Sequence, residues 1–175
     1  IDNFYYEKIR FKNALLNGIY IQDNISVKSL KMEGQDGEYF LKISTSDYNL
    51  DEITIKVDGT TTNINQKKLF DEFQNFNQNW ITTKNLKGIL SSKFNASFTF
   101  DKNKNLISEK SKLQSLNQFK DFSIVNFPFF RQILYYFKEN SITNKIIDVE
   151  YFNNNIDDVI FEDFNTEISI DNDKV

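Results

Sequence analysis

The sequence predicts a mainly β protein, a long antiparallel meander sheet that is curved or groove-forming, with two short amphipathic helices. Three observations support this. From Leu86 to Phe100 the even positions are predominantly apolar and the odd ones predominantly polar, the two-residue period of a half-buried strand. Shorter runs of the same period occur on both sides of it. Two segments break to the three- and four-residue spacing of a helix, one after Asn65 and one after Pro128, the one proline in the chain.

Taken in chain order, Ile9 and Phe11 mark a first strand. Ile19 and Ile21, and then Ile25 and Val27, share one parity, whereas Leu30 and Met32 fall on the other, which places a bulge near Ser29. Gly34 and Gly37 bracket a hairpin turn. Tyr39, Leu41 and Ile43 then alternate with Phe40, Lys42 and Ser44. After a turn over residues 46–51, Ile53, Ile55 and Val57 alternate with Thr54, Lys56 and Asp58.

Asn65 is placed to cap a helix whose apolar face is Leu69, Phe70, Phe73 and Phe76, ending near Asn77. The alternation from Leu86 to Phe100 follows, with a bend or bulge expected near Gly88. Fifteen residues at about 3.3 Å each make a strand of about 50 Å, so the sheet holding it is tall. Asp101–Asn105 reads as a turn, since it lacks the spacing, the glycine and the terminal glutamate of a calcium loop. Pro128 suits a first helical turn, and Phe129, Ile133, Leu134 and Phe137 line one face to about Lys138. Polar connectors cover 140–144 and 153–155, and Ile168 and Ile170 mark a last strand.

At 175 residues and 39% apolar composition, the chain suffices for one domain with a core. Ile1 stands where a start methionine would, so residues 1–175 are expected to be a single β-rich segment of a longer chain. A net charge of −4 with no cluster of Lys or Arg argues against nucleic acid, whose affinity rests on neutralised phosphates. The chain has no histidine and no cysteine, which removes the commonest general base, the commonest transition-metal ligand and any thiolate nucleophile. Its glycines are scattered, so no phosphate-cradling loop is present. The carboxylate pairs Asp71/Glu72, Asp157/Asp158 and Glu162/Asp163 read as solvated charges. The expectation is a non-enzyme without cofactor or metal.

The apolar faces are then the candidate functional surfaces. Leu90, Phe94, Ala96, Phe98 and Phe100 share one side of the long strand and are candidates for lining an acyl-chain site. Leu69, Phe70, Phe73, Phe129, Ile133, Leu134 and Phe137 are candidates for helix packing or docking. A tall apolar face needs a cover, either another layer or a bound apolar ligand, and periodicity does not choose between them.

Within Asn65–Gly88 the run Lys68-Leu69-Phe70, Phe73, Asn75-Phe76, Gln78, Ile81-Thr82 and Lys84-Asn85-Leu86-Lys87-Gly88 resembles a segment of AsmA-type envelope proteins, in which it precedes a long strand. The likeness extends over about three quarters of the chain, through Tyr39–Leu69 upstream and Leu90–Asn105, Phe122–Phe137 and Val159–Val175 downstream. The chain departs from the family where Lys120-Asp121 replaces a usual glycine, where Phe129 replaces a usual proline, and in the longer stretch 139–155. The resemblance implies a periplasmic, TamB-like, bridge-type protein of the cell envelope, held in the inner membrane by an N-terminal anchor outside this segment. It further implies phospholipid acyl chains and envelope proteins as partners, and a role in lipid traffic between membranes and outer-membrane homeostasis.

Overall fold

The alternation at Leu86–Phe100 forms the central strand of a nine-stranded antiparallel sheet, seen in a computed structural model that describes residues 1–21, 24–46, 51–139, 150, 154, 156–161 and 163–171, the side chains of Tyr6, Ser46, Tyr136 and Phe137 excepted. Strands β1 (Asn3–Tyr6), β2 (Ile9–Ile21), β3 (Asn24–Gly34), β4 (Gly37–Ser46), β5 (Glu52–Asn65), β6 (Leu86–Asp101) and β7 (Lys112–Val125) follow one another as neighbours. The far side of β7 is shared end to end. Strand β8 (Asp158–Ile160) takes Ser123–Val125, and β9 (Phe164–Asp171) takes Lys112–Phe119. The sheet does not close on itself. Helix α1 (Gln66–Glu72) follows β5, and α2 (Pro128–Glu139) follows β7.

Local chemistry explains the joints. Gly34 and Gly37 face each other across β3 and β4, and Gln35 and Asp36 between them both have positive φ, 48° and 66°, the backbone of a two-residue hairpin turn that matches strand twist. The bulge expected near Ser29 is present as a register shift between Val27 and Leu30. The one expected near Gly88 is present between Lys87 and Ile89. Gly88 has φ 121°, and a Cβ there would stand 2.8 Å from Phe122 Cα. The Asp101 carboxylate accepts the backbone N–H groups of Asn103 (2.8 Å) and Asn105 (2.9 Å), which makes 101–105 the turn the sequence suggested.

Several elements differ from the sequence-based expectation, among them β1, which was not expected ahead of Ile9. The strand positions expected at Ile9 and Phe11 and at Ile19 and Ile21 are parts of one strand, β2, kept in register with β3 by irregularities between Lys12 and Leu15 and between Asn17 and Gly18. The helix after Asn65 stops at Glu72 rather than near Asn77, because Gln74–Asn77 turn into the left-handed region with φ of 52° to 56°. Strand β7 was not anticipated. Its apolar residues Leu113, Leu116, Phe119 and Phe122 recur every third position, a helix-like spacing that becomes strand-compatible because Leu116 faces the opposite side and a bulge at Lys120–Asp121 resets the parity. The expected turn at 47–50 and the connector at 140–144 lie outside the described residues.

The sheet is essentially one layer. The accessible surface is 12545 Å², against about 8,900 Å² for a compact monomer of this mass. Among the described residues the buried apolar set is small: Ile64, Leu86, Ala96, Phe122, Leu134 and Ile156. Helix α1 lies against β5 and β6. Because β5 ends at Asn65, β6 begins at Leu86 and β7 ends at Val125, both helices sit at the same end of the sheet.

Candidate functional site: an open apolar band on one sheet face

Residues directly opposite each other on antiparallel strands share a face, so the register defines what each side of the sheet presents. One row runs Val27, Ile43, Val57, Ala96, Leu113 and Ile170 across six strands. The next runs Leu30, Leu41, Gly59, Phe94, Ser115 and Ile168. Phe98 opposite Ile55, and Phe100 opposite Ile53, extend the same side on β5 and β6. Six strands at about 4.8 Å spacing make this band about 24 Å long. From Phe94 to Phe100 it is about 20 Å wide, at about 3.3 Å per residue.

Residues Leu90, Phe94, Ala96, Phe98 and Phe100 therefore all belong to one surface, with Ala96 buried and the others half-buried by their own neighbours. The described elements place no second layer over the stretch from Phe94 to Phe100. Gly59 sits under the ring of Phe94, where a Cβ would also come within 2.8 Å of Leu41 Cδ2. The opposite face is mostly polar, with Phe40 and Leu116 in one of its rows. Lys42, Asp58, Asn95 and Gln114 form another, and the Lys112 ammonium meets Asp171 at 3.0 Å.

A polar row borders the band toward the helices. Thr61, Ser92, Asn117 and Thr166 stand opposite one another on β5, β6, β7 and β9. The Thr61 hydroxyl accepts the Ser92 N–H at 3.1 Å, Ser92 Oγ donates to Asn117 Oδ1, and Asn117 Nδ2 donates to Ser115 Oγ (3.1 Å) and Thr166 Oγ1 (3.3 Å). These bonds satisfy a buried amide in an apolar setting, where an unpaired one is costly. Beyond the row the face is apolar again at Ile64, Leu90, Phe119 and Phe164. There Phe119, Phe122, Phe161 and Phe164 form an aromatic cluster with centroid distances of 4.7 to 5.9 Å.

Helix α1 braces this end, α2 follows β7 at the same end, and the open stretch is left uncovered. Leu69, Phe70 and Phe73 are half-buried, and the rings of Phe70 and Phe73 meet Phe76 at 5.2 and 5.3 Å. Glu72 fixes the C-terminus of α1 by accepting from the Arg10 N–H (2.9 Å) and from Gln35 Nε2 (2.6 Å), while Gln35 Oε1 accepts from the Tyr39 hydroxyl. Burial pushes the Tyr39 phenol well above its ordinary range, and the Glu72 carboxylate adds to the shift. On α2, Leu134 is buried, Ile133 half-buried and Phe129 53% exposed, and the side chain of Phe137 lies outside the described residues. Arg131 pairs with Asp157 at 2.5 Å. Phe129, Phe127 and Trp80 make an outward aromatic group, with Phe127 6.3 Å from Trp80 and 6.1 Å from Phe129.

Four of the six carboxylates weighed as acid–base candidates have structural partners, and Asp71 is exposed. Glu72 holds Gln35 and Arg10, Asp157 holds Arg131, Asp158 meets Lys87 at 3.5 Å, and Asp163 accepts the Asp121 N–H at 3.4 Å. Glu162 lies outside the described residues. Among the described residues no three His, Cys, Asp or Glu side chains converge as metal ligands, and no helix is long and apolar enough to cross a membrane.

Neither protein-family models nor curated proteins nor solved structures yield a match to this chain. The site is thus defined by its own geometry. Reasoning from the sequence located the β6 side of the band but missed Leu113, because β7 was hidden by its threefold spacing. It also gave no role to Gly59, whose only signal was its position between Val57 and Thr61 on the apolar parity.

Proposed function

We propose that this segment handles phospholipid without catalysing a reaction, its apolar band serving as a bed for acyl chains. The observation that supports this best is the band itself: apolar residues continuous over six strands, on a face that the described elements leave uncovered. A single bilayer leaflet has an apolar depth of about 15 Å, half of the roughly 30 Å hydrocarbon core, so a band about 24 Å long accommodates a chain lying across the strands. Phe94, Ala96, Phe98 and Phe100 line it, and Leu90 lies on the same face beyond its polar margin. The polar row at Thr61, Ser92, Asn117 and Thr166 marks its margin.

The resemblance to AsmA-type proteins at Leu69–Gly88 points the same way. On this reading the chain is part of a periplasmic, inner-membrane-anchored protein that carries lipid between the envelope membranes and contributes to outer-membrane homeostasis. A second reading is favoured by the outward aromatic group at Trp80, Phe127 and Phe129, of which Trp80 is 64% exposed. It makes the chain a structural or accessory subunit that uses these rings to dock on an envelope protein.

Native mass spectrometry separates the two. The lipid reading expects phospholipid to remain bound to the wild-type chain and to be lost from Phe94→Asp and Phe98→Asp variants whose circular dichroism is unchanged. Lipid-free wild-type protein in stoichiometric complex with another polypeptide, released by Trp80→Ala or Phe129→Ala, contradicts it and supports the second reading.

A further inference from the structure

The margin of the apolar band carries more hydrogen-bond donors than acceptors. Asn117 is 8% exposed, and both ends of its amide are engaged: Oδ1 accepts from Ser92 Oγ, while Nδ2 donates to Ser115 Oγ at 3.1 Å and to Thr166 Oγ1 at 3.3 Å. The hydroxyls of Ser115 and Thr166 act as acceptors in these bonds and keep their own hydrogens. Among the described residues neither hydrogen has an acceptor. Thr61 is in the same position, since its hydroxyl accepts the Ser92 N–H. Among these five side chains only Asn117 Oδ1 accepts without carrying a hydrogen, and Ser92 already donates to it.

Ser115 and Thr166 are half-buried on a face without charge. No Asp, Glu, Lys or Arg stands on this side of the sheet between Ile53 and Thr61, Leu90 and Phe100, Leu113 and Phe119, or Phe164 and Ile170. A phosphate or carboxylate brought onto it would lose its water with no cation to meet it, which is costly. The acceptor that suits these hydroxyls is neutral and belongs to an apolar molecule. An ester carbonyl has both properties, and it brings no hydrogen of its own.

We propose that Ser115 and Thr166 hold the two ester carbonyls of a diacylglycerolipid. This rests on the reading of the band as a bed for acyl chains, and adds to it the linkage and the direction of the lipid. The two hydroxyls share one donor, Asn117 Nδ2, so they stand within two hydrogen-bond lengths of each other, close enough for esters on adjacent glycerol carbons. They lie on β7 and β9, at one end of the band. From Ser115 one chain follows Phe94, Gly59, Leu41 and Leu30 across four strand spacings, about 19 Å. The other follows the neighbouring row from Leu113 through Ala96 and Val57. The charged headgroup stays off the sheet, in water. Recognition at the esters selects ester-linked over ether-linked lipids, because an ether-linked chain lacks the carbonyl.

Competition for a phosphatidylcholine with a fluorescent acyl tail tests this on the 175-residue chain. The competitors are dihexanoyl phosphatidylcholine and its dihexyl ether analogue, which share a headgroup and are kept below their micelle concentrations. The diester is expected to displace the probe at about tenfold lower concentration than the diether, the effect of two neutral hydrogen bonds. That preference is expected to vanish in Ser115→Ala/Thr166→Val, whose fold is checked by circular dichroism. On the wild-type chain alone, the infrared carbonyl stretch of a diester labelled with carbon-13 at both carbonyls is expected at lower wavenumber than in dry alkane. Equal displacement by the two lipids, a preference that survives in the folded double variant, or a stretch unmoved from its alkane value overturns the proposal and leaves the acyl-chain reading standing. Failure of the probe itself to bind overturns both.

Discussion

Gly59 and Phe94 stand opposite each other on β5 and β6, and the missing side chain of one is the space occupied by the ring of the other. Adding a methyl group at this buried position forces the ring away or spreads the strands, an overpacking cost of about 1–3 kcal/mol. Gly59→Ala should therefore lower stability by that amount in urea unfolding, and should cost much less in a Phe94→Ala background, where the ring is gone. Equal costs in both backgrounds would mean that the two residues do not share the space. Tyr39 makes a prediction in pH. Its phenol is raised in the fold above the ordinary 10.0, so the fold favours the neutral form. That stabilisation is complete below pH 10.0 and is lost as pH rises past it. Thermal unfolding measured from about pH 9 to about pH 11 should show an alkaline loss that is smaller in Tyr39→Phe.

At the scale of elements, capping and turn chemistry were readable where a few adjacent residues decide the outcome. The Asn65 side chain accepts the Lys68 N–H at 3.1 Å and starts α1 as its position suggested. Asn65→Ala should cost about 1 kcal/mol in chemical denaturation, and an unchanged midpoint would show that packing on β5 and β6 alone holds the helix start. Where tertiary contacts decide, local pattern misled. Phe76 continues the helical spacing of Leu69, Phe70 and Phe73, yet it lies in a left-handed turn whose ring closes back on Phe70 and Phe73. Strand β7 shows the same limit. Its threefold spacing becomes a strand only because β6 and β9 pair with both of its sides and a bulge changes its parity midway.

At the scale of the whole molecule, the meander, its long central strand and the shared face of Leu90, Phe94, Ala96, Phe98 and Phe100 were legible because a period of two needs only one strand to be seen. The extent of the band was not. It depends on the register of neighbouring strands, which brings Val27, Ile43, Leu113 and Ile170 into one row and which no single stretch of sequence encodes. Nor could periodicity show whether the face was sealed. A two-layer sandwich and a one-layer sheet have the same alternation, and only the arrangement of elements, with both helices at the Leu86 end, leaves Phe94 to Phe100 open. Photo-cross-linking with a phospholipid bearing a diazirine in its acyl chain, followed by peptide mapping, asks where such a chain lies on this surface. The expected adducts fall on Val57, Ala96, Phe98 and Leu113, and thin out beyond the row at Ser92 and Asn117. Adducts spread equally over the polar face around Lys42 and Asn95, or none above the level of a water-soluble diazirine, would contradict a role in lipid handling.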